Sequence, residues 1–327
     1  MKNINQVPTA KKTPKELTIH GDVRIDNYYW LKNRENQEVI DYLNAENDYT
    51  NQMMRHTEDF QKDLFEEMKS RIKEDDTSVP YKLNGYWYIT KYKAGNDYPI
   101  YVRKKETLDA EEEVLFNCNE LAKNHSYFNL GGLSISPDNK FAAFSIDTVS
   151  RRQYTIQIKN LVSGEIYSDK ILNTTGSVTW ANDNKTLFYS MKDEVTLRSH
   201  KIIKHKLFTD SITDIEVFHE TDETFNTFIY RTKSKKYLVI GASSTLSSEY
   251  HFLNADTPDG DFTVFQERTK DLEYNIAHYN NSFYIISNID NATNFKVSKT
   301  DENNTGKEFW QDLIPHRKSV LIEDIEI

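Results

Sequence analysis

The chain has 327 residues, 37% hydrophobic and 13% aromatic, with 20 Tyr and 17 Phe against 10 Gly and 7 Pro; this suits a large core or two domains and excludes a disordered chain. The net charge of −10 argues against a nucleic-acid partner, because phosphate binding needs clustered Lys and Arg, and it suits solubility or cationic ligands. A single cysteine, Cys118, excludes an internal disulfide and a thiolate metal site.

The polar start, Met1 to Lys12, has no apolar h-region, so no signal peptide is expected. No apolar run approaches the roughly 18 residues of a membrane span. The expected location is the cytoplasm, with no membrane partner. Two helices are predicted first. Val39, Ile40, Leu43, Tyr49 and Met53 mark one face of a helix between Asn36 and Met54. Phe60, Leu64, Phe65, Met68 and Ile72 mark another between Glu58 and Ile72, with acids in its first turn and bases in its last, as the macrodipole favours.

After Val79 short aromatic and β-branched runs alternate with polar turns. Val114 to Cys118 reads as a strand, with Cys118 a buried small hydrophobe. Five units repeat the order turn, aromatic strand, loop, second strand. Their first strands hold Tyr86-Trp87-Tyr88-Ile89, Phe141-Ala142-Ala143-Phe144, Leu187-Phe188-Tyr189, Tyr237-Leu238-Val239-Ile240 and Phe283-Tyr284-Ile285-Ile286. The turns before several are alike: Pro137-Asp138-Asn139-Lys140, Asn182-Asp183-Asn184-Lys185 and Ser234-Lys235-Lys236. A spacing of roughly 44 to 56 residues is that of a four-stranded propeller blade. A sandwich has no reason to repeat its turn chemistry at this interval. The expected fold is therefore mainly β: a β-propeller of about five blades preceded by two helices, divided as residues 1–76 and 77–327. A sixth blade is expected to begin at Ser319 to Ile327, where an alternating pattern runs to the last residue and suggests truncation.

His20-Gly21-Asp22-Val23-Arg24-Ile25-Asp26-Asn27-Tyr28-Tyr29-Trp30-Leu31 resembles the opening signature of oligopeptidase B, in the prolyl oligopeptidase family of serine peptidases. Asn129-Leu130-Gly131-Gly132, Ser150-Arg151-Arg152-Gln153-Tyr154, Trp180-Ala181-Asn182-Asp183 and Leu313-Ile314-Pro315-His316-Arg317 follow in the family's order. The resemblance covers essentially the whole chain. It implies the front part of a seven-bladed propeller that restricts access to an α/β-hydrolase domain, with the N-terminal helices packed beside that domain. It implies a parent enzyme that cleaves short peptides after Arg or Lys. It also implies that the catalytic Ser, Asp and His lie in the hydrolase part, outside this sequence, so the chain alone is expected to be inactive.

The residues agree with that expectation. The nearest approach to the nucleophile elbow Gly-x-Ser-x-Gly is Gly132-Leu133-Ser134-Ile135-Ser136, which lacks the second Gly and leads into a turn and strand, so Ser134 reads as a strand residue. No His pair has metal-ligand spacing; His200 and His205 are expected on opposite faces of one strand. Asp75-Asp76 and Glu111-Glu112-Glu113 read as solvated carboxylate runs. No glycine loop for a phosphate is present. No cofactor and no metal is expected. The one functional candidate is the pair Arg151 and Arg152, between the strand Phe141 to Ile146 and the strand from Tyr154. Two guanidinium groups on a blade loop can clamp carboxylates of a facing domain, and the family resemblance implies a propeller–hydrolase contact there. The expected partners are the hydrolase domain, short basic peptides, and other copies of the chain through an open blade edge. A free-standing propeller scaffold is the alternative, and a glycosidase on scattered carboxylates a third reading.

Overall fold

The computed structural model of the chain describes residues 6–168 and 170–327, and it divides into a unit ending at Glu74 and a unit from Asp75 onward. The first unit opens with strands β1 (Lys15–Ile19) and β2 (Asp22–Asp26), paired so that Ile19 faces Asp22. The two residues between them, His20 at φ 52° and Gly21 at φ 81°, both lie in the left-handed region, as a two-residue turn matched to strand twist requires. Helix α1 (Gln37–Met54) starts where the Asn36 side chain accepts from the Glu38 N–H at 2.8 Å. Helix α2 (Glu58–Ser70) has Glu58 and Asp59 in its first turn and Lys69 in its last. Both predicted helices are present. The stripe of α2, with Phe60, Leu64, Phe65 and Met68, is exposed.

The second unit is an antiparallel meander. Strands β3 (Asp76–Thr77), β4 (Tyr81–Leu83), β5 (Tyr86–Tyr92), β6 (Ile100–Lys105) and β7 (Glu112–Asn117) form its first sheet. A short helix α3 (Cys118–Ala122) follows. Cys118 is buried as expected but opens this helix rather than continuing the strand, because the Asn117 side chain accepts from the Asn119 N–H and caps it. A seven-stranded sheet comes next: β8 (Asn129–Ile135), β9 (Phe141–Asp147), β10 (Tyr154–Asn160), β11 (Ile171–Trp180), β12 (Thr186–Lys192), β13 (Ser199–Lys206) and β14 (Ile215–His219). Two four-stranded sheets end the unit: β15 (Asn226–Arg231), β16 (Tyr237–Ser243), β17 (Ser248–Asn254) and β18 (Thr263–Gln266), then β19 (Tyr274–Tyr279), β20 (Ser282–Ser287), β21 (Lys296–Asp301) and β22 (Gln311–Ile314).

The seven-stranded sheet is two four-stranded groups sharing one strand. The first part of β11 pairs with β10 and its last part with β12, with an irregular register between Thr174 and Val178. Gly176, at φ 93°, sits in that break. A side chain there would meet Ser145 Oγ at 2.8 Å and the Tyr154 ring at 2.9 Å, so the bend needs glycine.

One backbone motif recurs five times. The residue leaving the third strand of each group donates its N–H to the turn that opens the second: Glu106 to Gly85, Leu161 to Lys140, Leu207 to Lys185, Ala255 to Lys236 and Glu302 to Asn281. The three turns that look alike in sequence share a left-handed residue, Asn139, Asn184 and Lys235. Asn accepts this conformation readily. Large aromatic and aliphatic clusters fill the core, one around Tyr189, Trp180 and Ile156 between the two halves of the seven-stranded sheet, and another around Phe265, Phe283, Tyr237 and Tyr274 between the last two sheets.

Two sequence expectations need correction. The aromatic strands expected first in each unit, β5, β9, β12, β16 and β20, are second: each follows an additional strand, β4, β8, β11, β15 or β19. Three of the additional strands lack an uninterrupted run of their own: β4 has three residues, β8 is broken by Gly131 and Gly132, and β11 by Gly176. The segment Ser319 to Ile327 forms no strand. Its Ile322 N–H donates to Asn294 O, and Arg317 makes one isolated bridge to Val320. An alternating pattern becomes a strand only where another strand lies beside it to complete the ladder, and none does among the described residues.

Candidate functional site

Arg151 and Arg152 occupy the loop between β9 and β10. The loop is built around the buried carboxylate of Asp147, at the end of β9. Asp147 Oδ1 accepts from the Val149 N–H at 2.9 Å and Oδ2 from the Arg152 N–H at 2.7 Å. Ser150 and Arg152 turn the backbone through the left-handed region, and Lys192 Nζ donates to Arg152 O at 2.6 Å. Burial and the neighbouring Arg152 hold the Lys192 pKa below its ordinary value. The backbone is thus held from three sides while both arginine side chains stay exposed. Among the described residues neither guanidinium has a hydrogen-bond or ion-pair partner. The loop presents a cationic patch of Arg151, Arg152 and Lys192 to solvent, suited to carboxylates.

The fold also assembles a group with no sequence signal. His278, buried in β19, places Nδ1 2.8 Å from Ser234 Oγ and Nε2 3.1 Å from Glu302 Oε2. Glu302 accepts as well from Lys236 Nζ at 2.7 Å and Tyr237 Oη at 3.1 Å. The lysine contact leads the causes that hold Glu302 below the usual carboxylate range. An ionised Glu302 cannot donate, so the network assigns the imidazole proton to Nε2 and makes Nδ1 the acceptor of the Ser234 hydroxyl. Serine, histidine and carboxylate in series resemble a hydrolytic triad, but the surroundings do not. Burial lowers the His278 pKa and opposes the imidazolium that a general base must become. The Lys235 N–H donates to Thr232 O and the Lys236 N–H to Ser234 Oγ itself, so neither is free for an oxyanion. The imidazole also packs between the Tyr237 and Phe283 rings at 4.9 and 4.8 Å. The group joins the β15–β18 sheet to the β19–β22 sheet.

The remaining candidates take structural places. Ser134 lies in β8, and its carbonyl accepts from Trp180 Nε1. His205 is buried against Asp214 at 2.7 Å, whose other oxygen accepts from Tyr189 Oη. His200 stands on the other side of β13, its ring 5.6 Å from that of His219. Burial pushes the Cys118 thiol up to about 11, which makes it a poor nucleophile. Among the described residues no cluster of three or more His, Cys, Asp or Glu could hold a metal, and no helix is long and apolar enough to cross a membrane. A cavity of about 380 Å³ lies between the β4–β7 strands and β8 and extends to Arg231 at the end of β15.

A family model described as prolyl oligopeptidase, N-terminal beta-propeller domain, matches residues 8–327. The chain is 38% identical to dipeptidyl aminopeptidase BI of Pseudoxanthomonas mexicana, over 97% of its own length and 46% of that protein's. It is 31% identical to protease 2 of Moraxella lacunata, over 97% and 48%. Among solved structures it superposes on oligopeptidase B from Leishmania major with a TM-score of 0.88 and 27% identity, covering 96% of this chain and 47% of that one. The chain spans about half the length of the curated relatives it matches.

Proposed function

Because the chain belongs to the prolyl oligopeptidase family, as its N-terminal β-propeller domain, we propose that it is the gating portion of a serine peptidase that cleaves short peptides after Arg or Lys. In this reading it contributes five of seven blades. The five repeated backbone contacts from Glu106 to Glu302 support that count. The blades cover an α/β-hydrolase domain of the same polypeptide, admit short peptides and exclude folded proteins. Arg151 and Arg152 take carboxylates of the hydrolase domain, and the exposed stripe of α2 packs on it. The observation that carries the reading is the superposition of nearly the whole chain on half of an oligopeptidase B. The identity with a dipeptidyl aminopeptidase favours a second specificity, removal of dipeptides from peptide N-termini.

The chain by itself is expected to leave an Arg-containing fluorogenic peptide intact and to resist labelling by a fluorophosphonate. Turnover blocked by that reagent would overturn the reading. In the polypeptide that joins this chain to its hydrolase domain, products from a peptide with an internal Arg separate the two specificities: cleavage after Arg supports the first, stepwise dipeptides the second. The double substitution Arg151→Ala and Arg152→Ala there is expected to lower kcat/KM and to expand the scattering profile. Unchanged values of both would remove the interdomain role of the pair.

A further inference from the structure

Most partly buried cations of the second unit face carboxylates: Arg103 faces Glu113, Lys204 faces Asp259, Arg268 faces Glu220, and Lys296 faces Asp290 and Asp312. Lys159 and Arg198 donate instead to backbone carbonyls. Arg231 has neither arrangement. Arg231 lines the cavity, and the described partner of its guanidinium is the amide oxygen of Asn182, 2.8 Å from Nη1. Among the described residues no carboxylate pairs with it. Asn182 is itself fixed, because its Nδ2 donates to Lys235 O at 2.9 Å and to Asp256 Oδ1 at 2.7 Å. The guanidinium is therefore held at one corner, with donors left over. Burial holds its pKa below the ordinary arginine value, the mark of a cation short of counter-charge.

The rest of the wall is mixed, with Thr90 and Ser134 beside an apolar stretch. Leu83, Leu115, Leu130 and Leu133 line it with Tyr81 and Tyr88, whose rings stack at 5.3 Å. Tyr81 and Leu83 are exposed, so the cavity is reachable from solvent. We propose that this cavity is a binding site for a small carboxylate with an apolar body, of the kind presented by the free C-terminus of a short peptide, with Arg231 as the partner of the anion. An apolar group sheds water against the leucines and tyrosines, while the carboxylate completes the hydrogen bonding of the guanidinium. The site goes beyond the gating role and needs no hydrolase domain.

Calorimetric titration of this chain with N-acetylphenylalanine, its amide and acetate tests the site. The acid is expected to bind about tenfold or more tighter than either, since it alone combines charge with an apolar body. Arg231→Met should erase the preference for acid over amide, and Arg231→Lys should keep part of it. Leu133→Trp fills the cavity and leaves Arg231 in place; it should abolish binding of the acid while melting as the unaltered chain does. Equal binding of acid and amide, acid preference retained in Arg231→Met, or acid binding retained in Leu133→Trp would overturn the site. Acetate binding as tightly as the acid would reduce it to a bare anion contact and overturn it also. If Arg231→Met fails to fold, the Leu133→Trp titration decides. None of these outcomes bears on the gating role, which is read from the kinetics of the joined polypeptide.

Discussion

Glu302 is the residue whose environment most directly sets a measurable property. Its carboxylate takes hydrogen bonds from Lys236, Tyr237 and His278, which join side chains of two sheets. Removing the charge in Glu302→Gln is expected to cost about 1–3 kcal/mol, read as a lower urea midpoint. The pH dependence has a definite sign. Burial leads the influences that lower the His278 pKa, partly offset by Glu302, so the folded chain keeps a neutral imidazole where the unfolded chain takes a proton. Stability is then fully present above about pH 6.5 and declines as the pH falls below it. Glu302 is lowered too, and its contribution declines further down, as the pH drops through about 4.5 towards its folded value. In Glu302→Gln the lower step should shrink. A midpoint flat from pH 7 to 5 in the unaltered chain would contradict the assignment of a neutral, buried His278.

At the level of elements, β8 passes close to β11 at Gly132. A side chain at Gly132 would come within 2.2 Å of Gly176 O, a backbone atom, whereas one at Gly85 would meet nothing nearer than the Glu106 carboxylate oxygen at 3.0 Å. Gly85 is needed for its φ of 82° in the turn between β4 and β5, Gly132 for space. Gly85→Ala should cost about 1 kcal/mol from its left-handed backbone. Gly132→Ala must push two strands apart and should cost about 1–3 kcal/mol with a loss of cooperativity. Denaturation of the two variants separates the effects; a Gly132→Ala variant milder than Gly85→Ala would show that β8 and β11 are free to part. The helices follow another rule. The stripe of α2 is apolar and correctly spaced for a helix, yet exposed, so the helix is fixed by its local sequence and its covering is not.

For the molecule as a whole the open features are the outer strands. β18 and β22 end their sheets, and Val264, Leu313 and Ile314 on them are exposed. Such edges template pairing with another chain. Sedimentation velocity should show association that grows with concentration, and Leu313→Lys should weaken it by placing a charge on the edge. A single monomeric species at all concentrations, or unchanged association in Leu313→Lys, would rule out the β22 edge as the contact. The charge of −10 works against association at low salt, so the effect should strengthen as salt screens it.

Local chemistry was readable from the chain alone. The spacing of Val39, Ile40 and Leu43, and of Phe60, Leu64 and Met68, specifies helices, because a face repeats every three to four residues. The Asn-rich turns before Phe141 and Leu187 specify left-handed corners, because few other residues accept them. The loop position of Arg151 and Arg152 followed from the strands on either side. The additional strands β4 and β8 were not readable, since they are held by neighbours rather than by a pattern of their own. Nor were the contacts between distant residues. Ser234, His278 and Glu302, like Arg231 and the leucines around it, are far apart in sequence and acquire meaning when sheets pack face to face. Propensity acts between near neighbours along the chain, whereas burial and counter-charge depend on which surfaces the completed fold brings together.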